Sequence, residues 1–323
     1  MRARPLCVAL LLLASRTIAH AAEPGELPDD DKQWRRALDQ HLFMPSLAVV
    51  DPFVPTEFSL TTGAGYAWAN GSGFDVRGNA VGNGSYVAAS LSEAVSFQAG
   101  LFSWLALRVR GGGGLYGGFN ARSALVLGAT MPLTVEPGLT ASWQLGRFLR
   151  LGGTFDYVYQ YAKLIDPLSL VRTSLASGQV DTSQVSQRVI DNIVLPGVTA
   201  AFAPLRAIGL LASVQYRWDG RDNGTTTQNV NYLIVGASTQ LDVRPIVASL
   251  PLGVLAAYRA EIPLGSTQRL IETVEGALFY TGRKDLALGL DVEGQWFVLR
   301  SGSPITFSTS AIVGSLIFNY YWN

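Results

Sequence analysis

Apolar and polar residues alternate through most of the chain after residue 55. The alternation is clearest at 312–322, where every second side chain is apolar or small, and the stretch 133–145 repeats it with threonine, serine, glutamate and glutamine between the apolar positions. A period of two is typical of a strand whose two faces meet different surroundings. The pattern therefore predicts β-strands with one apolar face.

Twelve such stretches follow one another, and each predicts one strand. Their connections alternate between short turns, such as the one at Gly146, and longer loops, such as 163–189. Short turns on one side and long loops on the other are typical of a transmembrane antiparallel β-barrel, although each strand pattern is weak and ten or fourteen strands stay open as alternatives. The predicted strands are 56–69, 85–99, 104–116, 133–145, 148–161, 192–203, 207–218, 230–241, 251–261, 268–280, 286–298 and 305–322.

Residues 22–55 lack this alternation. Three acids at 29–31 precede a stripe of Trp34, Leu38 and Leu42, and this spacing of four predicts a short amphipathic helix. Prolines at 45, 52 and 55 exclude a helix in the residues that follow. Two interpretations of the segment are open: a periplasmic lead-in to the barrel, or a plug that enters it.

Four consecutive glycines at 111–114 indicate a place where another segment comes close to the backbone of the wall. The apolar stretch 121–129 is a candidate for that segment, as a short helix folded inward. Glu93 falls on the predicted lipid-facing side of its strand, where a charge is costly.

The N-terminal residues predict that the protein is secreted. Arg2 and Arg4, an apolar stretch and the small-residue site at 19–21 predict a cleaved secretory signal at residues 1–21. The only cysteine, Cys7, lies within it, so the mature chain offers no disulfide or thiolate metal site. No later apolar stretch reaches the length of about 18 residues that a spanning helix needs.

Charge excludes one class of partner. The chain has 24 basic and 24 acidic residues, and cleavage of the signal removes three arginines and no acid, which leaves a formal charge of −3. This balance provides no basic surface for nucleic acid.

Aromatic residues fall into two groups, one at the predicted short-turn ends of the strands and one at the long-loop ends. Two aromatic bands separated by aliphatic strand middles are typical of the girdles that mark the two membrane interfaces. The first group contains Trp104, Trp143, Tyr280, Tyr320 and Trp322, and the second contains Trp68, Tyr116, Tyr216, Trp218 and Trp296.

Residues 56–323, with their long final strand and the aromatic Trp322 near its end, resemble bacterial outer-membrane β-barrel proteins of the porin or transporter kind. The resemblance is architectural and points to no single family. It implies a Gram-negative outer membrane with both termini periplasmic, and outer-membrane lipid and the barrel-assembly machinery as partners. Asn323 departs from this pattern because it follows the terminal aromatic residue.

Candidate catalytic chemistry is sparse. The mature chain has one histidine, His41, which we expect to be a solvated residue of the N-terminal helix. Barrel phospholipases and barrel proteases use a histidine in their catalytic set, and no predicted strand contains one, so the sequence predicts no enzyme and no catalytic residue. No cluster has the spacing of a metal site, and nothing indicates a cofactor.

Polar residues on the inward side of the strands carry the functional prediction. The arginines come mainly from the third to ninth strands and the acids mainly from the tenth and eleventh, so opposed charges would cross the lumen. They predict either a pore that discriminates solutes by charge or a salt-bridge network that holds the lumen shut. The predicted pore-lining residues are Arg108, Arg110, Arg150, Asp156, Gln160, Gln215, Arg217, Arg259, Glu261, Glu275, Asp291 and Glu293.

Barrel size leaves both outcomes open. Barrels of about 8 strands are filled by side chains and those of 16 to 18 hold a water channel. The twelve predicted strands fall between these sizes. We expect a passive channel or transporter for small molecules. The alternative is a closed structural or anchoring barrel whose function lies in its surface loops. The sequence sets neither the solute nor the oligomeric state.

Overall fold

The structure is a computed structural model, and it describes residues 36–39, 41–74, 80–121, 123–124, 128–165, 167, 186–222, 227–265, 270–298 and 308–322. The predicted signal sequence, Trp34 of the predicted plug and most of the loop after residue 165 lie outside these residues.

Twelve antiparallel strands close into a transmembrane barrel, which confirms the predicted fold and strand number. Each strand pairs with the next along the chain, and the last pairs with the first through partners that run from Ser308↔Asn70 to Trp322↔Thr56. Closure leaves no unpaired strand edge. The barrel strands are β3 (Thr56–Phe74), β4 (Ala80–Phe102), β5 (Leu105–Gly118), β6 (Ala129–Leu145), β7 (Leu149–Ile165), β8 (Ser186–Leu205), β9 (Ile208–Asp222), β10 (Thr227–Asp242), β11 (Leu252–Pro263), β12 (Leu270–Tyr280), β13 (Leu286–Val298) and β14 (Ser308–Trp322).

The strands differ from the predicted bounds mainly at their long-loop ends. β4 begins at Ala80 rather than at residue 85, and β8 begins at Ser186 rather than at residue 192. Residues 163–165 and 186–189, expected in a loop with short helices, therefore pair as strand. Cross-strand pairing outweighs the weak local preference of these polar stretches.

Alternation along each strand separates an apolar outer face from a mixed inner face, as expected. On β5 the outward Leu107 and Val109 are 45% and 54% exposed, whereas Ala106 is fully buried. Side chains of β7 and β9 follow the same rule, with Phe155 and Val214 outward and Asp156 and Gln215 buried inside. This outer face is the surface that a bilayer would cover. Within the described residues, no helix is long and apolar enough to cross a membrane.

The residues before β3 form a hairpin rather than the predicted helix. Strand β1 (Ala37–Leu38) pairs with β2 (His41–Leu42), and Asp39 turns between them with a φ of +43°. The prediction is therefore wrong over the described part of this stretch. The spacing of four between Leu38 and Leu42 comes from a tight turn that packs on the barrel wall, so tertiary contacts override the helical pattern.

Residues 36–39 and 41–55, which we call the lumen segment, lie inside the barrel. Phe43, Met44, Val49 and Phe53 are each 2% exposed and belong to one apolar cluster. The barrel side chains of this cluster come from several strands around the wall: Ala201, Ala203, Leu211, Leu255, Ala257, Ala277, Phe279 and Ile317. A segment that contacts strands around the whole circumference can do so only from within.

The described residues of the segment 121–129 do not pack on the glycines at 111–114, contrary to expectation. The atoms nearest to them belong to neighbouring strands and to Tyr116 of β5 itself, whereas the helical turn at Ser123 and Ala124 packs on Gly118. A Cβ at Gly118 would lie 2.2 Å from the Ala124 nitrogen, so only glycine fits there. The absent side chains of 111–114 instead leave a groove of about 550 Å³ in the wall, beside the exposed Glu93.

Candidate functional site

All twelve residues predicted to line the lumen have the inward register of their strands. Arg108 lies between the exposed Leu107 and Val109, and Gln215 lies between the exposed Val214 and Tyr216. What they do there depends on the contacts that they make.

Several inward charges form ion pairs with residues on the same side of the wall rather than across the lumen. Arg108 contacts Asp156 at 2.7 Å and Glu136 at 3.4 Å. Arg217 similarly contacts Asp219 at 2.8 Å and Glu261 at 3.1 Å. The expected opposition of arginines and acids across the barrel is thus only partial.

Two of the inward charges that reach open space lack such partners. Arg110 on β5 and Glu293 on β13 form no hydrogen bond and no ion pair within 4.0 Å among the residues that the structure describes. Arg110 is exposed and Glu293 is half-buried, so both reach open space in the lumen.

Several inward polar residues were not among the predicted pore-lining residues. Glu136 and Glu57 each occupy the polar side of an alternating stretch, which was the available signal. Gln98 and Gln240 also point inward and are 4% and 1% exposed. Glu57, Gln98 and Gln240 contact the lumen segment. Alternation along a strand gives no information about such contacts.

Hydrogen bonds fix the lumen segment to the wall at its tip. The Glu275 carboxylate accepts from the Ser46 hydroxyl at 2.5 Å and from the Leu47 and Ala48 amides at 2.9 Å each. The Gln240 side chain accepts from the Met44 amide at 2.7 Å and donates to the Met44 carbonyl at 3.0 Å. Backbone groups that no secondary structure pairs are thereby satisfied inside the barrel.

Charges and amides hold the two ends of the same segment. Arg36 pairs with Asp51 at 2.5 Å and with Glu57 at 3.6 Å. The Gln98 side chain donates to the carbonyls of Phe53 and Pro55 at 3.3 and 3.0 Å.

Wall glycines make room for the lumen segment. A Cβ at Gly209 would lie 2.2 Å from His41 Nε2, and one at Gly253 would lie 2.3 Å from Met44 Sδ. A larger residue at either position would force the side chain of His41 or Met44 to shift.

His41 is buried, contrary to the expectation of a solvated residue. Its ring lies edge-on to Phe43 at 4.6 Å, and its Nδ1–H donates to the Arg206 carbonyl at 3.1 Å. Nε2 is buried without a partner within the described residues. Burial therefore lowers the pKa of His41 to about 4, because a charged imidazolium would be poorly solvated there.

Two cavities remain beside and beyond the lumen segment. The small cavity has a volume of about 270 Å³ and lies between residues 45–51 and the wall, with Arg108 and Asp156 on one part of its surface and Ile193 and Ile234 on another. The large cavity, about 550 Å³, lies toward the long-loop side. Both are bordered by Leu47, Thr61, Ala94, Arg110, Glu136 and Arg259, so they adjoin.

The predicted girdle residues lie on the outer face with one exception. Trp104, Trp143, Trp218 and Trp296 are each more than 40% exposed, and Trp322 packs edge-on to Phe97 at 5.9 Å. Tyr116 shares the inward register of Arg110 on β5 and borders the large cavity, so it belongs to the lumen rather than to a girdle. The glycines before it obscured the alternation.

Of the predicted plug residues, Leu38 is 2% exposed and Leu42 is half-buried. Among the described side chains, no group of three or more histidines, cysteines or acids is placed to hold a metal ion.

No protein-family model and no curated protein sequence matches the chain. Solved structures similar to it include a FadL homologue of Pseudomonas aeruginosa, with a TM-score of 0.49 and 8% identity over 84% of this chain and 93% of that chain. An outer-membrane channel from Pseudomonas putida F1 has a TM-score of 0.48 and 11% identity over 87% and 100% of the two chains. The translocator domain of the autotransporter NalP from Neisseria meningitidis has a TM-score of 0.44 and 10% identity over 82% and 88%. At these identities and TM-scores the likeness carries no information about what this chain binds.

Proposed function

We propose that the protein is an outer-membrane barrel that acts as a passive channel or transporter for small polar molecules. In this proposal the lumen segment is a plug that occludes the path, and the short turns with both termini face the periplasm. Outer-membrane lipid surrounds the barrel, and the barrel-assembly machinery inserts it.

The observation that carries the proposal is the pair of adjoining cavities inside the barrel. Side chains fill small barrels completely, but here the large cavity alone measures about 550 Å³. Volumes of about 300 to 1,000 Å³ are usual for small-molecule sites. The space is also polar, with Thr134, Gln160, Thr273 and Gln295 on its border.

Opposite charges on the border of this space create an electric field across it. Glu293 on β13 and Arg110 on β5 both border the large cavity and carry opposite charges. Charged rings in pores select solutes by charge, and low-dielectric walls strengthen their field. We expect the path to order dipolar solutes as they pass.

A closed anchoring barrel is the second candidate function. The hydrogen bonds of Glu275 and Gln240 to the lumen segment favour it, because they hold the segment across the lumen. In that case the surface loops would carry the function.

Single-channel conductance in a planar bilayer separates the two candidates. We expect refolded residues 22–323 to show brief, intermittent openings, and a variant without residues 22–55 to show long-lived ones. Replacing Arg108 and Arg110 by glutamine should shift the reversal potential toward cation selectivity. Silence of both proteins, with folding confirmed by different gel migration of boiled and unboiled samples, would reject the channel and support the anchoring barrel.

A further inference from the structure

The large cavity presents one positive and one negative side chain that lack partners within the described part of the barrel. The Arg110 guanidinium and the Glu293 carboxylate both border it, and they belong to strands β5 and β13. They are more than 4.0 Å apart, because they form no ion pair. A gap between two opposite charges is therefore part of the cavity.

The other charges of the cavity are already engaged. Glu136 pairs with Arg108 at 3.4 Å, and Arg259 pairs with Glu261 at 2.5 Å. Glu93 also borders the cavity, but its outward register places its side chain with Leu91 and Val95. Arg110 and Glu293 are thus the pair that is available to a ligand.

We propose that the large cavity binds small zwitterions, with the ligand carboxylate on Arg110 and the ligand ammonium group on Glu293. The planar guanidinium donates two parallel hydrogen bonds to a carboxylate. The carboxylate of Glu293 accepts from an ammonium group, which has three donors. This deepens the proposed function, on which it rests, by naming the class of solute.

Neighbouring side chains suit such a ligand. Thr273 and Gln295 lie on the Glu293 side of the cavity, and Thr134 and Gln160 lie on the Arg110 side. They offer neutral hydrogen bonds around the two charges, which fix orientation without changing the charge balance. Simple anions or cations would satisfy only one of the two charged groups.

Calorimetric binding to detergent-folded residues 22–323 at pH 7 tests the inference with three matched probes. β-Alanine carries both charges, propionate lacks the ammonium group, and ethylammonium lacks the carboxylate. We expect β-alanine to bind about tenfold more tightly than either single-charge probe, since a hydrogen bond to a charged group contributes at least that factor.

Variants assign each charge to its partner. Arg110→Gln should weaken β-alanine and propionate but leave ethylammonium unchanged, and Glu293→Gln should weaken β-alanine and ethylammonium but leave propionate unchanged. Arg147→Gln, in an exposed turn outside the cavity, should bind as the unmodified protein does. Combining Arg110→Glu with Glu293→Arg should restore β-alanine binding that either reversal alone abolishes.

Equal affinity for propionate and β-alanine would overturn the inference, and so would an unchanged β-alanine affinity in Glu293→Gln. The absence of binding by all three probes to folded protein would also overturn it. Because binding requires no transport, β-alanine binding by a protein that conducts no current would reject the channel alone. Conductance without β-alanine binding would reject the zwitterion site alone.

Discussion

At the scale of single residues, one carboxylate holds the tip of the lumen segment. Glu275 is 1% exposed and accepts three hydrogen bonds from residues 46–48. A buried carboxylate is costly unless such donors surround it. These hydrogen bonds therefore compensate the burial of the Glu275 carboxylate and also satisfy the unpaired backbone amides of the segment.

Glu275→Ala should loosen this tip. Each hydrogen bond to a charged group contributes about 1.5 to 3 kcal/mol, and the variant leaves the three donors without their acceptor. Hydrogen exchange at the Leu47 and Ala48 amides should accelerate at least tenfold. Glu272→Ala is the matched control, since Glu272 lies on the same strand but bonds Tyr258 on the outer face. Unchanged exchange in Glu275→Ala would show that apolar packing alone holds the tip.

Acid should weaken the docking of the hairpin through His41. Its pKa of about 4 when docked lies below the ordinary value of 6.5, so the undocked state binds the proton more readily between these values. Docking is at full strength above about pH 6.5 and weaker by about 2 kcal/mol at pH 5. Protease cleavage within 36–42 should therefore be faster at pH 5 than at pH 7.

His41→Gln provides the control for this effect, because glutamine stays neutral and can still donate to the Arg206 carbonyl. Its cleavage rate should change much less between pH 7 and pH 5. An equal pH dependence in both proteins would assign the effect to the carboxylates around the segment instead.

At the scale of elements, the barrel wall is shaped around the lumen segment. Gly209 and Gly253 provide the space that His41 and Met44 occupy. Gly209→Ala and Gly253→Ala should displace the segment and lengthen channel openings while the strands stay paired. Gly276→Ala is the matched control, because a Cβ there meets no atom within 4 Å. Openings that match those of the control would show that the segment accommodates the added methyl group.

The two faces of the strands should tolerate charge differently. Leu107→Arg places a guanidinium on the outer face, where arginine costs about 2 to 4 kcal/mol at mid-membrane depth. Gln160→Arg places the same group beside the large cavity. Folding into lipid vesicles, followed by gel migration, should fail or slow for the first variant only. Similar yields would show that the outer face does not contact lipid.

Sequence patterns predicted the elements well because the barrel repeats one rule. Each strand alternates between lipid and lumen, so a period of two located twelve strands and gave the inward face of residues such as Arg150 and Asp291. The same patterns failed at 36–42, where two leucines spaced by four lie in a hairpin. That conformation depends on contacts with wall residues distant in sequence, such as Gly209, which no local pattern contains.

At the scale of the whole molecule, the lumen segment and the barrel form one packed interior. The sequence offered a lead-in or a plug for these residues, and the structure packs them inside the barrel. The ion pairs of Arg108 and Arg217 could not be predicted from the sequence. Alternation shows on which face of the wall a side chain lies but not how far it is from other side chains. That Arg110 and Glu293 have no partner in the large cavity likewise follows from contacts and not from the sequence.

If the lumen segment occludes a path through the barrel, a reversible crosslink that holds the segment in place should close that path. A Cβ at Gly236 would lie 3.2 Å from Val49 Cγ2. The Val49 Cβ is one bond beyond that methyl carbon, so the two Cβ atoms can reach the separation of about 3.5 to 4.5 Å that a disulfide requires. Residues 22–323 contain no other cysteine that could interfere. Val49→Cys with Gly236→Cys would therefore lock the segment when oxidised and free it when reduced.

Conductance of this double variant should follow its redox state. The oxidised protein should be silent, and a reducing agent should restore intermittent openings in the same bilayer, while each single cysteine variant should not respond. Equal conductance before and after reduction, with complete disulfide formation shown by mass spectrometry, would contradict the account, because the path would then not depend on the lumen segment.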